Sequence, residues 1–271
     1  MNAKELIKAL HSGKRAYGTL IISPSPKFIG AVKGMDLDFV FIDTEHIPLD
    51  SQELGWMCHG YRGIGMTPIV RIPSPDPYQA CRVLDTGASG IIAPYIETVE
   101  QVQQLRGAIK LRPLKGKRLQ DILSGKSEAE PELADYLKKY NEEHIMIVNI
   151  ESVPAMKVLD DILDVPGLDA VLIGPHDLTT NLGIPQKYDH PLFDEAVREI
   201  IAKARAKNIG AGIHFWPSVE QEISWAKAGM NMIIHHSDMM LFKESMQDVL
   251  NQLRLALGDS AESKKLEDEA I

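Results

Sequence analysis

The sequence predicts an α/β protein folded as one (β/α)8 barrel of the TIM type. Three observations carry that expectation. Eight short apolar runs alternate with longer stretches of helical periodicity, the order in which parallel strands and crossover helices follow one another. The length of 271 residues suits one such barrel. Ionisable residues gather directly behind the apolar runs, where a parallel barrel presents its strand ends at a shared mouth. An open doubly wound sheet is the competing arrangement, because a short apolar run reads equally well as strand or as buried helix.

The elements follow in order. Leu6, Ile7 and Leu10 recur at helical spacing among polar residues, unlike the unbroken apolar core of a secretion signal. The candidate strands are Tyr17–Ile22, Phe39–Ile42, Pro68–Val70, Gly90–Ala93, Ile145–Ile150, Ala170–Ile173, Gly210–Ile213 and Met232–His235. Helical connections are expected over Gln52–His59, Asp76–Asp85, Val99–Ile109, Pro154–Leu163, Phe193–Ala206 and Ser218–Ala228, with a last helix over Met239–Leu257. Residues 111–144 break the rhythm with a long, charged stretch, expected to pass over the barrel mouth or to meet a partner. The barrel domain is therefore expected over residues 1–257. Residues 258–271, nearly devoid of large apolar groups, read as a solvated, disordered tail.

Composition narrows the function. A net charge of −9 argues against a nucleic-acid surface, which needs clustered Lys and Arg, and leaves small molecules as the expected partners. No run reaches the roughly 18 apolar residues of a membrane span. Cys58 and Cys81 make neither a CxxC pair nor a disulfide framework, which points to a reducing cytoplasm. The basic stretch KLRPLKGKR has no Gly-rich loop before a helix and reads as a solvated face.

On the expected barrel, Asp43, Glu45 and His46 follow the second strand, Arg71 the third, Glu151 the fifth, Asp177 the sixth and His214 the seventh, while His235 and His236 end the eighth. Glu151 and Asp177 supply hard anionic oxygens for Mg²⁺ or Mn²⁺, with positions left for water and substrate; alternatively each caps the helix behind it. Arg71 has the planar fork that suits a carboxylate or enolate oxygen, or an ion pair that braces the rim. His46 titrates near neutrality and qualifies as a general base, with Asp43, Glu45 or Asp85 as the carboxylate that orients it. Strand alternation lets at most one of His235 and His236 face the pocket.

The stretches FIDTEHIPLD, PIVRIPSPDP, VLDTGASGIIAPYIET, VNIESVPAM and VLIGPHDL, in this order, resemble the class II pyruvate aldolases of the HpcH/HpaI family. The resemblance covers most of residues 1–257. It implies a modified (β/α)8 barrel of the phosphoenolpyruvate/pyruvate type, a homo-oligomer (hexamer or trimer) whose last helix packs on a neighbouring subunit, and a divalent metal ion (Mg²⁺, Mn²⁺ or Co²⁺). It also implies reversible cleavage of a 4-hydroxy-2-oxo acid to pyruvate, or a related 2-oxo acid, and an aldehyde. Carried over, Glu151 and Asp177 match the metal ligands, Arg71 the arginine that steadies the enolate, His46 the base and Asp85 its paired aspartate. The backbone at Gly174, Pro175 and His176 matches the carboxylate-binding segment. Asn149 stands where the family has glutamine, Leu119 replaces a loop glycine, and His235–Asp238 (HHSD) replaces a small apolar stretch. The alternatives are a hydroxyacyl-thioester lyase of the citrate lyase β-subunit type and a non-catalytic barrel that binds an oxo acid.

Overall fold

The computed structural model describes residues 1–259. Eight strands close into a barrel in chain order: β1 Ala16–Ile21, β2 Phe39–Asp43, β3 Thr67–Arg71, β4 Gly90–Ala93, β5 Ile145–Ile150, β6 Ala170–Ile173, β7 Gly210–Phe215 and β8 Met232–Ser237. Neighbouring strands run parallel, and β8 returns to β1. Closure decides against the open doubly wound sheet. Each expected strand is present, with β2, β3, β7 and β8 extended toward the mouth.

Both faces of the strands are buried, which is why they read as continuous apolar runs rather than alternating ones. Phe39, Phe41, Ile69, Ile92, Ile145, Ile147, Leu172, Met232 and Ile234 fill the barrel interior. Leu6 and Leu10 from the helix Ala3–Ser12 join them and plug the base. Val40, Ile42, Val70, Ile91, Met146, Val148, Val171 and Ile173 point outward into the helical layer. Because the side-chain period is two, the interior phase continues upward onto Asp43, Arg71, Asn149, Glu151 and His214. The polar layer at the mouth is therefore the top of the same column of inward residues.

The helices depart from expectation in detail. Pro26–Val32 and Pro175–Asn181, each opened by proline, are single short helices absent from the predicted set. The expected helix Pro154–Leu163 is two, Val153–Lys157 and Leu159–Leu163, separated at Val158. Residues 111–144 do not cross the mouth. They form helices Gly116–Leu123 and Pro131–Asn141. Leu119 and Leu123 lie against Gly107 on the outer helix Val99–Lys110, and the Asn141 side chain donates to the Arg112 carbonyl at 2.8 Å. The reason is directional: the segment follows a helix that runs from mouth to base, so it emerges at the far end of the barrel.

The last helix, Asp238–Leu257, is anchored at its start, where the Asp238 carboxylate accepts the backbone N–H groups of Ile22 and Ser23 at 3.0 and 2.9 Å. Beyond that turn it exposes Phe242, Met246, Val249 and Leu253. Of the expected tail, residues 260–271 lie outside the described residues. No helix among the described residues is long and apolar enough to cross a membrane.

Candidate active site

Strand pairing places Asp43 beside Arg71 at the ends of β2 and β3. Arg71 donates from Nε to Asp43 Oδ1 and from Nη2 to Oδ2, both at 2.8 Å, and Glu45 Oε2 lies 3.1 Å from Nε. The guanidinium carbon also stands 5.5 Å from the centre of the Phe41 ring, within cation–π range. Burial pushes the Asp43 carboxyl up, but the Arg71 hydrogen bonds and charge outweigh it and leave it below its ordinary value. The converse balance holds Arg71 above its own, so the pair is ionised.

Asp43 has a second task. Its oxygens accept the backbone N–H groups of Glu45 (3.0 Å) and His46 (3.3 Å), turning the chain sharply behind β2. That turn carries His46 to the cavity wall, with Nε2 3.7 Å from Glu45 Oε1. Of the three carboxylates weighed for His46, Glu45 is the near one. Asp85 is not joined to His46 within the chain, which corrects that pairing for a single copy. It ends the helix Pro77–Asp85, which starts at the mouth and runs to the base, and there it pairs with Arg112.

Glu151 sits just beyond β5, its carboxylate 5% exposed as a residue and fixed from two sides. The Tyr95 backbone N–H donates to Oε1 at 2.7 Å, and the Asn149 amide donates to Oε2 at 2.8 Å. Burial raises its pKa, and the neighbouring Asp177 and Glu45 charges add to the rise. Gly174 makes the space: its backbone lies so close that a Cβ there would stand 2.5 Å from Glu151 Oε2. Neither acid is a helix cap. Ser152 caps Val153–Lys157 by accepting from Ala155, and Asp177, inside the first turn of Pro175–Asn181, accepts no hydrogen bond among the described residues.

Beside these groups lies a cavity with a volume of about 400 Å³. Arg71, Asn149, Asp177 and His46 reach it, as do Gly174, Pro175 and His176 from the turn after β6. The donor set fits a hard divalent cation: a buried carboxylate repelled by neighbouring carboxylates, Asp177 without a partner, and Asn149 Oδ1 buried and unpaired. No group of three or more His, Cys, Asp or Glu residues gathers as a metal cluster among the described residues, so two carboxylates would leave most of an octahedral shell to water and substrate oxygens.

Tyr95 and Trp216 escaped the sequence reading, while Asp43, Glu45 and His214, which it placed at strand ends, take more specific positions in the structure. Tyr95, at φ 55 just beyond β4, places its backbone N–H on Glu151, and the Glu45 carboxylate near its hydroxyl pushes that group up to about 12. Asp43 and Glu45 proved to be partners of Arg71 as much as of His46. His214, expected behind the seventh strand, lines the cavity together with Trp216. Neither His235 nor His236 lines it. His235 pairs with Glu222 at 2.8 Å on the outer side, and His236, at φ 55, pairs with Glu244 of the last helix at 3.0 Å.

Residues 17–245 match the family described as HpcH/HpaI aldolase/citrate lyase. The chain is 28% identical over 258 residues to a 2-keto-3-deoxy-L-rhamnonate aldolase from Salmonella gallinarum (strain 287/91 / NCTC 13346), covering 94% of this chain and 93% of that protein. The crystal structure of the citrate synthase SbnG has a TM-score of 0.79 at 26% identity, covering 94% of this chain and 99% of that one. An HpcH/HpaI aldolase from Desulfitobacterium hafniense DCB-2 has the same fold, with a TM-score of 0.79 at 24% identity over 92% of this chain and 96% of that one. With the matched segment running from β1 into the last helix, the chain belongs to the HpcH/HpaI aldolase/citrate lyase family.

Proposed function

We propose that this protein is a divalent-metal-dependent carbon–carbon lyase that reversibly cleaves a 4-hydroxy-2-oxo acid to pyruvate, or a related 2-oxo acid, and an aldehyde. The observation that carries the reading is the buried Glu151 carboxylate, which has only neutral N–H donors, faces the Asp177 charge and lies in the field of Arg71. Glu151 and Asp177 would hold the cation. When bound, Mg²⁺, Mn²⁺ or Co²⁺ supplies Lewis-acid polarisation of the oxo acid's oxygens.

The chain's own groups supply the rest. Arg71, locked by Asp43, keeps N–H groups aimed where negative charge develops on the enolate oxygen, an effect on the order of 3 kcal/mol per well-placed donor. His46 takes the proton of the 4-hydroxyl as the C3–C4 bond breaks. It returns a proton to C3, which becomes the methyl of pyruvate. The backbone at Gly174, Pro175 and His176 receives the substrate carboxylate, and Asn149 orients Glu151 while its own oxygen stays buried and unpaired. The relationship to an aldolase over nearly the whole of both chains supports this reading.

The same reading includes a cytoplasmic homo-oligomer, a hexamer or trimer. The last helix exposes Phe242, Met246, Val249 and Leu253, an apolar stripe of the kind that packs on another copy. Asp85 then serves His46 only if a second copy brings it to the mouth.

Proton exchange tests the proposal. In heavy water with pyruvate and Mn²⁺ or Mg²⁺, and without aldehyde, the protein should exchange the pyruvate methyl protons, followed by NMR. Chelation should abolish the exchange, added metal should restore it, and Asp177→Ala should lose metal affinity. Exchange that survives exhaustive metal removal refutes the metal-dependent reading.

A further inference from the structure

One stretch of the cavity wall takes no part in the chemistry assigned above: Leu172, His214 and Trp216, beside the Phe41 ring. His214 holds the interior phase of β7, and its Nε2 lies 3.0 Å from the backbone oxygen of His236. A carbonyl oxygen only accepts, so the imidazole carries its proton on Nε2. Burial pulls His214 down to about 4, so no second proton is held at neutral pH. Nδ1 is thereby left as a lone-pair acceptor, without a hydrogen-bond partner among the described residues.

The ring is also held in place. The carbonyl that fixes it belongs to His236, whose φ of 55 places it in the left-handed region, and the same oxygen accepts the Thr19 hydroxyl at 3.3 Å. Phe41 meets the imidazole edge-on at 5.7 Å between centroids, and Trp216 stands 5.4 Å away on the cavity wall. The Trp216 indole N–H has no acceptor among the described residues. A fixed acceptor thus stands beside an unused donor in a cavity that takes a small substrate.

A hydroxyl is the neutral group that both donates and accepts. A carboxylate tail finds no cationic side chain on this stretch of wall, and a purely apolar tail leaves Nδ1 and the indole N–H unpaired. Sites built to hydrogen-bond a hydroxyl discriminate strongly against analogues that lack it, because their own polar groups are then stranded. We propose that His214 and Trp216 select a hydroxylated aldehyde as the substrate's aldehyde half, His214 Nδ1 accepting from its hydroxyl and the Trp216 indole donating to one. This rests on the lyase reading above and names the class of aldehyde within it.

The test measures kcat/KM for condensation of pyruvate with three aldehydes, using the Mn²⁺-loaded protein: 2,3-dihydroxypropanal, propanal and 4-oxobutanoate. The dihydroxy aldehyde should exceed each of the others by about tenfold or more. His214→Leu should bring the dihydroxypropanal-to-propanal ratio close to one. His214→Asn, whose amide oxygen replaces Nδ1 as acceptor, should restore most of it, and Trp216→Phe should lower it by a smaller factor. The ratio cancels any loss of folded protein, and a purely structural role would not move it. A wild-type ratio near one, or a ratio unchanged in both His214→Leu and Trp216→Phe, overturns the proposal. Metal-dependent proton exchange at pyruvate without hydroxyl preference overturns this inference alone, whereas absence of exchange overturns the lyase reading with it.

Discussion

Asp43 and Arg71 stand opposite each other in the β2–β3 register and share two charge-assisted hydrogen bonds of 2.8 Å, so the acid that ends one strand holds the base that ends the next. The Asp43 side chain is 1% exposed and that of Arg71 16%, which makes the pair costly to break from either side.

Asp43→Ala should therefore destabilise the protein by about 3 kcal/mol, the low end for a broken buried pair, because Glu45 still faces the guanidinium. The Asp43 pKa is lowered in the folded state, so its contribution is full above the unfolded carboxyl value near ~3.9 and is lost as pH falls through the lower folded value. Urea denaturation should show the variant's deficit intact at neutral pH and closing only below about pH 4. A deficit that closes between neutrality and mild acid would contradict the assigned pair.

Gly174→Ala should weaken metal binding without unfolding the barrel. The glycine's φ of −87 admits alanine, but the new Cβ would meet Glu151 Oε2 at 2.5 Å and its Cβ at 2.9 Å, displacing the carboxylate. Titration calorimetry with Mn²⁺ should show a loss of about tenfold or more, the size expected when a ligand's support is disturbed. Wild-type affinity in this variant would remove Glu151 from the metal site.

His46→Ala should lower turnover by at least about 10²-fold while metal affinity is retained, since the imidazole contributes proton transfer and no ligand. Steady-state rates of cleavage and Mn²⁺ calorimetry on the same preparation separate the two. Unchanged turnover would shift the base to Glu45, the carboxylate beside it.

The His235–Glu222 contact outside the cavity should give the fold a modest pH dependence. The Glu222 hydrogen bond raises the His235 pKa against the opposing effect of burial. The contribution is then full below the unfolded histidine value near ~6.5 and fades as pH rises through the folded one. Thermal melts of wild type and Glu222→Gln should differ most near about pH 6 and converge on the alkaline side. With the His235 side chain 37% exposed, solvent screening keeps the difference small.

The barrel was legible because its signals are local. Eight apolar runs buried on both faces, helical periodicity between them and acids behind them are all properties of near neighbours in the chain. The same locality exposed Glu151, Asp177, Arg71 and His46 as groups delivered to strand ends, and period-two alternation fixed which residues face inward. What the sequence could not carry was anything set by contact between distant segments. Asp43 and Arg71 are 28 positions apart, and only the register of β2 on β3 makes the one the side-chain partner of the other. Asp85 looked available to His46 until the course of its helix took it to the opposite end of the barrel. The charged stretch after β4 carries no mark of the end at which it emerges, because the direction of the preceding helix decides that. His214 reads as one more histidine at a strand end, and its tautomer is set by the carbonyl of His236, 22 positions away, in a left-handed turn that no local propensity favours for histidine. Side-chain period and burial are written residue by residue, whereas partner, protonation and orientation depend on which strand lies alongside, and barrel closure settles that.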